Sequence, residues 1–279
     1  MIKNKRILIT GAAGSIGSEL CRQLSKKYSV IALDIDESRL FDLHQELPGI
    51  VPIIADIRER VLMMDILMKH RPEMVFNCAA LKHVPLCEKF SDEAYKTNID
   101  GLCNVITASM YCDVKKFVQI SSDKAVNPDS IMGRTKKLGE ELCEDMKGLS
   151  NTKFTIVRFG NVLNSRGSLL PIFRRQIEKN EPLTVTDKRM ERYFMSIPEA
   201  CDLILKATEL GEGKYIFDMG EPMNILELAK TMVKISGKNI SIKIIGRRPG
   251  EKFKEELYDK KSEKLLKTKY KNILKICQK

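Results

Sequence analysis

The segment Arg6-Ile-Leu-Ile-Thr10, followed at once by Gly-Ala-Ala-Gly-Ser-Ile-Gly17, leaves this chain few folds to choose from. A short aliphatic run makes a buried strand, and the glycines behind it break that strand into a turn. Gly11, Gly14 and Gly17 would provide a tight turn, close approach of backbone to a pyrophosphate, and close packing of the next helix on the sheet. A helix starting here aims free N–H groups and its positive end at an anion, which makes Ser15 and Ile16 expected contacts beside the glycines. The next strand candidate closes on Asp34, where a carboxylate bonds the hydroxyls of an adenosine ribose. Its charge repels a 2′-phosphate. NAD is therefore the expected dinucleotide, with NADP the less favoured alternative because Arg39 lies nearby.

The same alternation continues. Strand candidates at Arg6–Thr10, Val30–Asp34, Val51–Ala55, Met74–Cys78, Lys116–Ser121 and Phe154–Phe159 are separated by amphipathic stretches at 15–27, 38–46, 58–70, 91–112 and 132–147. Such alternation predicts an α/β fold, a doubly wound parallel (Rossmann) sheet with a smaller C-terminal substrate-binding lobe. The expected division is a dinucleotide-binding domain over 1–160, to which 186–220 returns, and a lobe made of 161–185 and 221–279. Beyond Arg158 the pattern loosens into loops at 161–168 and 187–192, helical stretches at 197–210 and 224–236, and a strand at 239–245. Asp56, closing the third strand, is placed to meet an adenine edge, and Asn77-Cys-Ala-Ala80 ends the fourth strand where such ligands pass.

Composition narrows the function. Eight cysteines carry no C-x-x-C pair and the three histidines are scattered, so no metal site is expected and the thiols read as reduced. Apolar runs are strand-length, well short of the roughly 20 residues that a membrane helix needs, and the first residues lead straight into β-structure without the pattern of a secretion signal. A cytoplasmic protein without a membrane partner is expected. The net charge of +11 is spread along the chain, and tryptophan is absent. Solvated faces and an anionic small substrate account for that charge better than a nucleic acid partner does.

The chemistry gathers at Gln119-Ile-Ser-Ser-Asp-Lys-Ala-Val-Asn-Pro128, behind a buried strand, and at Ile131-Met-Gly-Arg-Thr-Lys136, which opens the next helix. An acid and an amine side by side at a strand's carboxyl end, next to a cofactor, are positioned to move protons. Taken alone, they read equally well as a loop with surface charges.

With the glycine pattern and Asn77–Ala80, these segments resemble the extended short-chain dehydrogenase/reductases. Within that superfamily, Ser121–Pro128, Met132–Glu140, Val157–Asn161, Arg192–Ala200 and Arg247–Leu257 resemble the UDP-N-acetylglucosamine 4,6-dehydratases of polysaccharide biosynthesis. Ala79–Pro85 and Thr97–Gly101 match as well, so the resemblance runs through nearly the whole chain. It implies oxidation of the sugar at carbon 4, loss of water across carbons 5 and 6, and reduction at carbon 6, with NAD regenerated in each turnover. It further implies Lys124 as the base at carbon 5, Asp123 as the acid for the leaving hydroxyl, Lys136 at the nicotinamide ribose and Ser122 beside the 4-hydroxyl. Ala79 and Asn98 join the cofactor contacts, and Lys82, His83, Asn161, Arg192, Arg248 and Glu251 the sugar nucleotide contacts. The helices at 91–112 and 132–147 match those that pair in homodimers of the superfamily.

One position departs from the superfamily's Tyr-x-x-x-Lys. Met132 stands at the tyrosine and cannot exchange a proton, although Lys136 is in place. Two other classes of function share much of the pattern. A UDP-sugar 4-epimerase has no use for the Asp123-Lys124 pair, and a non-catalytic dinucleotide sensor, which Met132 would suit, has no use for that pair or for the phosphate-binding arginines.

Overall fold

Buried aliphatic runs separated by amphipathic helices satisfy both faces of a sheet only when helices cover each side. Residues 5–279, the part that the computed structural model describes, are built this way. Strands β1 (Arg6–Thr10), β2 (Ser29–Asp34), β3 (Val51–Ile54), β4 (Met74–Asn77), β5 (Lys116–Ile120), β6 (Lys153–Arg158) and β7 (Gly213–Phe217) lie parallel in the order β3-β2-β1-β4-β5-β6-β7. Two antiparallel strands, β8 (Glu263–Lys267) and β9 (Ile273–Gln278), extend the edge as β7-β9-β8 and complete a nine-stranded sheet.

The longer helices are α1 (Ser15–Leu24), α2 (Glu37–Glu46), α3 (Arg60–His70), α4 (Gly101–Tyr111), α5 (Ile131–Asp145), α6 (Leu169–Glu178), α7 (Ile197–Leu210) and α8 (Ile225–Ser236), with two short ones over Val84–Lys89 and Ser91–Tyr95. One apolar layer packs Leu20 and Leu24 of α1, Leu40 and Leu43 of α2 and Ile204 and Ala207 of α7 under the sheet. The opposite layer packs Met63 and Leu67 of α3, Leu102 and Val105 of α4 and Cys143 of α5. Strand order reverses between β1 and β4, where the connections diverge to opposite faces and leave a crevice at the strands' carboxyl ends. A third cluster, with Phe173 of α6 and Ile225 and Ala229 of α8, forms the small lobe. There residues 183–185 pair with Ile242–Ile244 inside the expected strand at 239–245.

The doubly wound sheet and its first six strands follow the sequence reading, with ends shifted by a residue at most. The division of the C-terminal half does not. Residues 263–278 were expected in the lobe, but they form β8 and β9 and belong to the main sheet. A buried ionic cluster fastens them there. Arg158 of β6 meets Glu140 of α5 at 2.6 Å and Glu263 of β8 at 2.9 Å, and Lys214 of β7 meets Glu140 at 3.3 Å. Removing any one partner would leave a buried charge uncompensated. The stretch at 91–112 also differs from a plain helix, because a π-turn over Lys96–Asp100 interrupts it before α4.

Candidate active site

At the reversal point β1 ends on Thr10, and its hydroxyl donates to Asn77 Oδ1 at 2.6 Å, locking the ends of β1 and β4 together. Gly11 then takes φ +64°, and a Cβ there would lie 2.6 Å from the Ala79 nitrogen, so only glycine fits without strain. Gly14 donates to the Gly11 carbonyl at 3.0 Å, and a Cβ on Gly17 would run into that same carbonyl. The turn is thus cut to backbone thickness, and α1 begins behind it at Ser15 with its first amides free. These are the properties that a dinucleotide pyrophosphate requires. Asp34 closes β2 and accepts from Ala13 N at 2.8 Å and Asp36 N at 3.0 Å, which fixes its carboxylate at the rim.

A cleft of about 730 Å³ opens over this turn, and the glycines, Ser15, Ile16, Asp34, Asp56 and Ala79 line it. Asp56 is held by Arg58, whose Nε lies 2.7 Å from it. Arg166 crosses the mouth of the cleft, its amide donating to Ser15 Oγ at 3.1 Å and its guanidinium to the Ala13 carbonyl. Arg166 escaped the sequence reading, since it sits in the loop 161–168 without a motif around it.

The other wall is the end of β5. Ser122 caps a single 3₁₀ turn over Asp123–Ala125, and the Asp123 amide donates to the Phe159 carbonyl at 3.1 Å. Asp123 is fully buried. Its Oδ1 accepts from Ser122 Oγ at 2.7 Å and from Lys124 Nζ at 2.9 Å, while its Oδ2 has no partner among the described residues. Lys124 Nζ also donates to Asn161 Oδ1 at 3.1 Å, so two chain segments are joined by one amine. Ser122, Lys124 and Asn161 line the cleft, and Asp123 lies behind Lys124.

Helix α5 starts from its Ser130 cap and presents Met132 and Lys136, one turn apart, to the same space. Lys136 donates to the Ile120 carbonyl at 3.0 Å, and burial pushes its amine down to about 8. Met132 is buried against Cys87 and Ala94 and occupies the wall as an apolar group. Lys82 and His83 line the cleft near its mouth. Lys82 donates to the Arg166 carbonyl at 2.9 Å, and burial followed by the Arg166 charge pushes its ammonium down. Burial and then Lys82 push His83 down too.

Four of the sequence candidates lie elsewhere. Asn98, expected at the cofactor, is buried and spends its amide on the Leu81 backbone at 2.8 and 2.9 Å and on Thr135 Oγ1 at 2.9 Å. It ties the loop after β4 to α5 and does not line the cleft. Arg192 donates to the carbonyls of Glu191 and Phe253 at 2.7 and 3.1 Å. Glu251 accepts from the Arg248 amide at 3.1 Å, within an open loop of the small lobe. None of these three lines the cleft either. In the other direction, Glu255 was not singled out in the sequence, yet it is buried with Oε1 4.0 Å from Lys124 Nζ.

The sequence pattern of the family described as "Polysaccharide biosynthesis protein" matches residues 7–278. The chain belongs to that family. It is 46% identical over 274 residues to the capsular polysaccharide biosynthesis protein CapD of Staphylococcus aureus, an alignment that covers 93% of this chain and 46% of CapD. The chain therefore spans about half the length of that relative. Among solved structures it is similar to Pen from Bacillus thuringiensis, with 37% identity, a TM-score of 0.88, and coverage of 94% of this chain and 85% of Pen. It is also similar to UDP-glucuronic acid 4-epimerase from Bacillus cereus, solved with UDP-glucuronic acid and NAD. That pair shares 25% identity and a TM-score of 0.81, with 89% and 88% of the chains covered. Among the described residues of this family member, no helix is long and apolar enough to cross a membrane.

Proposed function

We propose that this chain acts on a nucleotide-linked sugar and catalyses the 4,6-dehydration of UDP-N-acetylglucosamine, with NAD in the cleft and retention of configuration at carbon 5. The observation that carries this reading is the Asp123–Lys124 pair, a buried acid and a half-buried amine 2.9 Å apart at the end of β5. Elimination needs a base for the carbon 5 proton and an acid for the departing hydroxyl. Epimerisation at carbon 4 needs neither. The nicotinamide supplies oxidation at carbon 4 and reduction at carbon 6 when bound, with the glycine turn and Asp34 holding the adenosine half and Lys136 the far ribose.

The missing tyrosine has a replacement in this scheme. Ser122 Oγ donates to Asp123 Oδ1 at 2.7 Å, so a proton leaving the 4-hydroxyl passes to Ser122 while that of Ser122 passes to Asp123. Lys124, as the neutral amine, takes the carbon 5 proton, and Asp123 gives its proton to the carbon 6 hydroxyl, which departs as water. Lys124 then returns its proton to carbon 5 on the face from which it came. All groups end as they began. Lys82, His83 and Asn161 lie where a sugar nucleotide would cross the cleft. A paired copy of the chain, joined through the α4 and α5 faces, fits the same reading, as does a cytoplasmic setting.

Incubating the purified chain with UDP-N-acetylglucosamine and weighing the product by mass spectrometry tests it. Loss of one water is expected. An isomer of unchanged mass would replace this reading with the epimerase.

A further inference from the structure

Glu255 reaches the reaction centre from the far end of the chain. It stands on the segment 250–255, which is strapped across the catalytic turn. Lys252 donates to the carbonyls of Val126, at 2.8 Å, and Asn127, and residues 191 and 254 form a bridge between strand-like segments. The strap leaves Glu255 3% exposed, with Oε2 unpartnered among the described residues and Oε1 4.0 Å from Lys124 Nζ, outside hydrogen-bond reach. Asp123, wholly buried and 2.9 Å from the same Nζ, has its own unpartnered Oδ2 among the described residues. Two buried carboxyl groups thus share one close cation.

The remaining charges that act on Glu255 are Arg192, which donates through Nη1 to the Glu191 and Phe253 carbonyls and through Nη2 to Met190 Sδ, and Lys252, which donates to the Val126 and Asn127 carbonyls. Two ionised carboxylates in so dry a place, each with an unsatisfied oxygen, are costly, and holding one proton between them removes most of that cost. We infer that Asp123 and Glu255 form a carboxyl pair that keeps one proton beside Lys124, Glu255 acting as a positioning residue that keeps Asp123 able to protonate the leaving hydroxyl. Burial and the charge of Asp123, working against the nearby cations, push the Glu255 carboxyl up, in agreement with this.

The inference rests on the dehydratase reading for its consequence. On that reading Glu255 keeps a proton at hand for the departing hydroxyl. In each turnover the pair takes up one proton from the 4-hydroxyl through Ser122 and then gives one to the departing hydroxyl. Lys124 borrows and returns that of carbon 5, so protons balance.

Glu255→Gln tests this in the full chain. It should lower kcat on UDP-N-acetylglucosamine by about 30-fold or more while KM stays near the wild-type value, and should move the alkaline limb of the pH–rate profile to lower pH. Glu255→Asp should restore a large part of the rate and of the limb. Infrared spectra of the protein without substrate should contain a protonated-carboxyl band that Glu255→Gln lacks. An unchanged kcat, a loss of rate with the limb unmoved, or an absent band would each overturn the pair. If the wild-type chain dehydrates nothing, the dehydratase reading fails by itself, and the infrared band still decides whether Glu255 and Asp123 hold a proton.

Discussion

The two walls of the cleft are built on opposite plans. On the glycine side nearly everything is main chain: amides of residues 13 and 36 hold Asp34, and three glycines bring the turn within backbone contact of its neighbours. On the β5 side the centre is made of side chains drawn from residues 122–124, 161 and 255, with two buried carboxylate oxygens unpartnered. A finished polar surface suits ground-state binding, because nothing has to rearrange when the ligand arrives. Unfinished buried groups suit proton transfer, since only reaction satisfies them. Damage to one wall should therefore appear in affinity and damage to the other in turnover.

Lys124→Ala should separate the two most sharply. Turnover is expected to fall by about 10³-fold, while the dissociation constant for NAD stays within about fivefold, or 1 kcal/mol. Loss of affinity matching the loss of rate, measured by calorimetry beside steady-state kinetics, would erase the contrast. Ser122→Ala should cost about 10²-fold in kcat and Ser122→Thr much less, because the relay needs a hydroxyl at that place. Equal effects of the two substitutions would mean that the proton of the 4-hydroxyl takes another path.

On the binding wall, Asp34→Ala should narrow the preference for NAD over NADP by about tenfold without touching kcat at saturating cofactor. Titrations of both cofactors check this, and an initial preference for NADP would contradict the role given to Asp34. Lys136 joins the two walls and gives the smallest effect. Its amine is pushed down by burial from 10.5 to about 8 in the folded protein. Above that pH the folded chain has released a proton that the unfolded chain still holds, so this group makes stability rise with pH between about 8 and 10.5. In the proposed site the same deprotonation would remove its charge from the cofactor ribose. NAD binding should weaken about fivefold as pH rises through that range, and in Lys136→Met it should be flat.

The same contrast explains what could be read in the sequence. The glycine turn, Asp34 and the positions of the first six strands follow from local signals, spacing and alternation within about 30 residues of one another. Strands β8 and β9 carry scattered lysines at 264, 267 and 275 and pair antiparallel at an edge that lies far off in sequence. Their anchor is the bond of Arg158 to Glu263 across 105 residues, which no periodicity announces. Glu255 sits in a run of charges that looks solvated, and only the bridge of residues 191 and 254 turns it inward. Asn98 misled for the opposite reason. A polar residue near a cofactor loop looks like a ligand until its amide is seen to be used up by Leu81 and Thr135. Long-range partners decide these cases, and they are a property of the folded chain.

The measurement closest to the central claim is the reaction with UDP-N-acetylglucosamine run in deuterium oxide, with the product read by NMR. One base that takes and returns the proton on a single face predicts loss of water, deuterium at carbon 5 and a D-xylo ring, and none of these with Lys124→Ala. A 4-epimer without deuterium at carbon 5, or an L-arabino product, would contradict it.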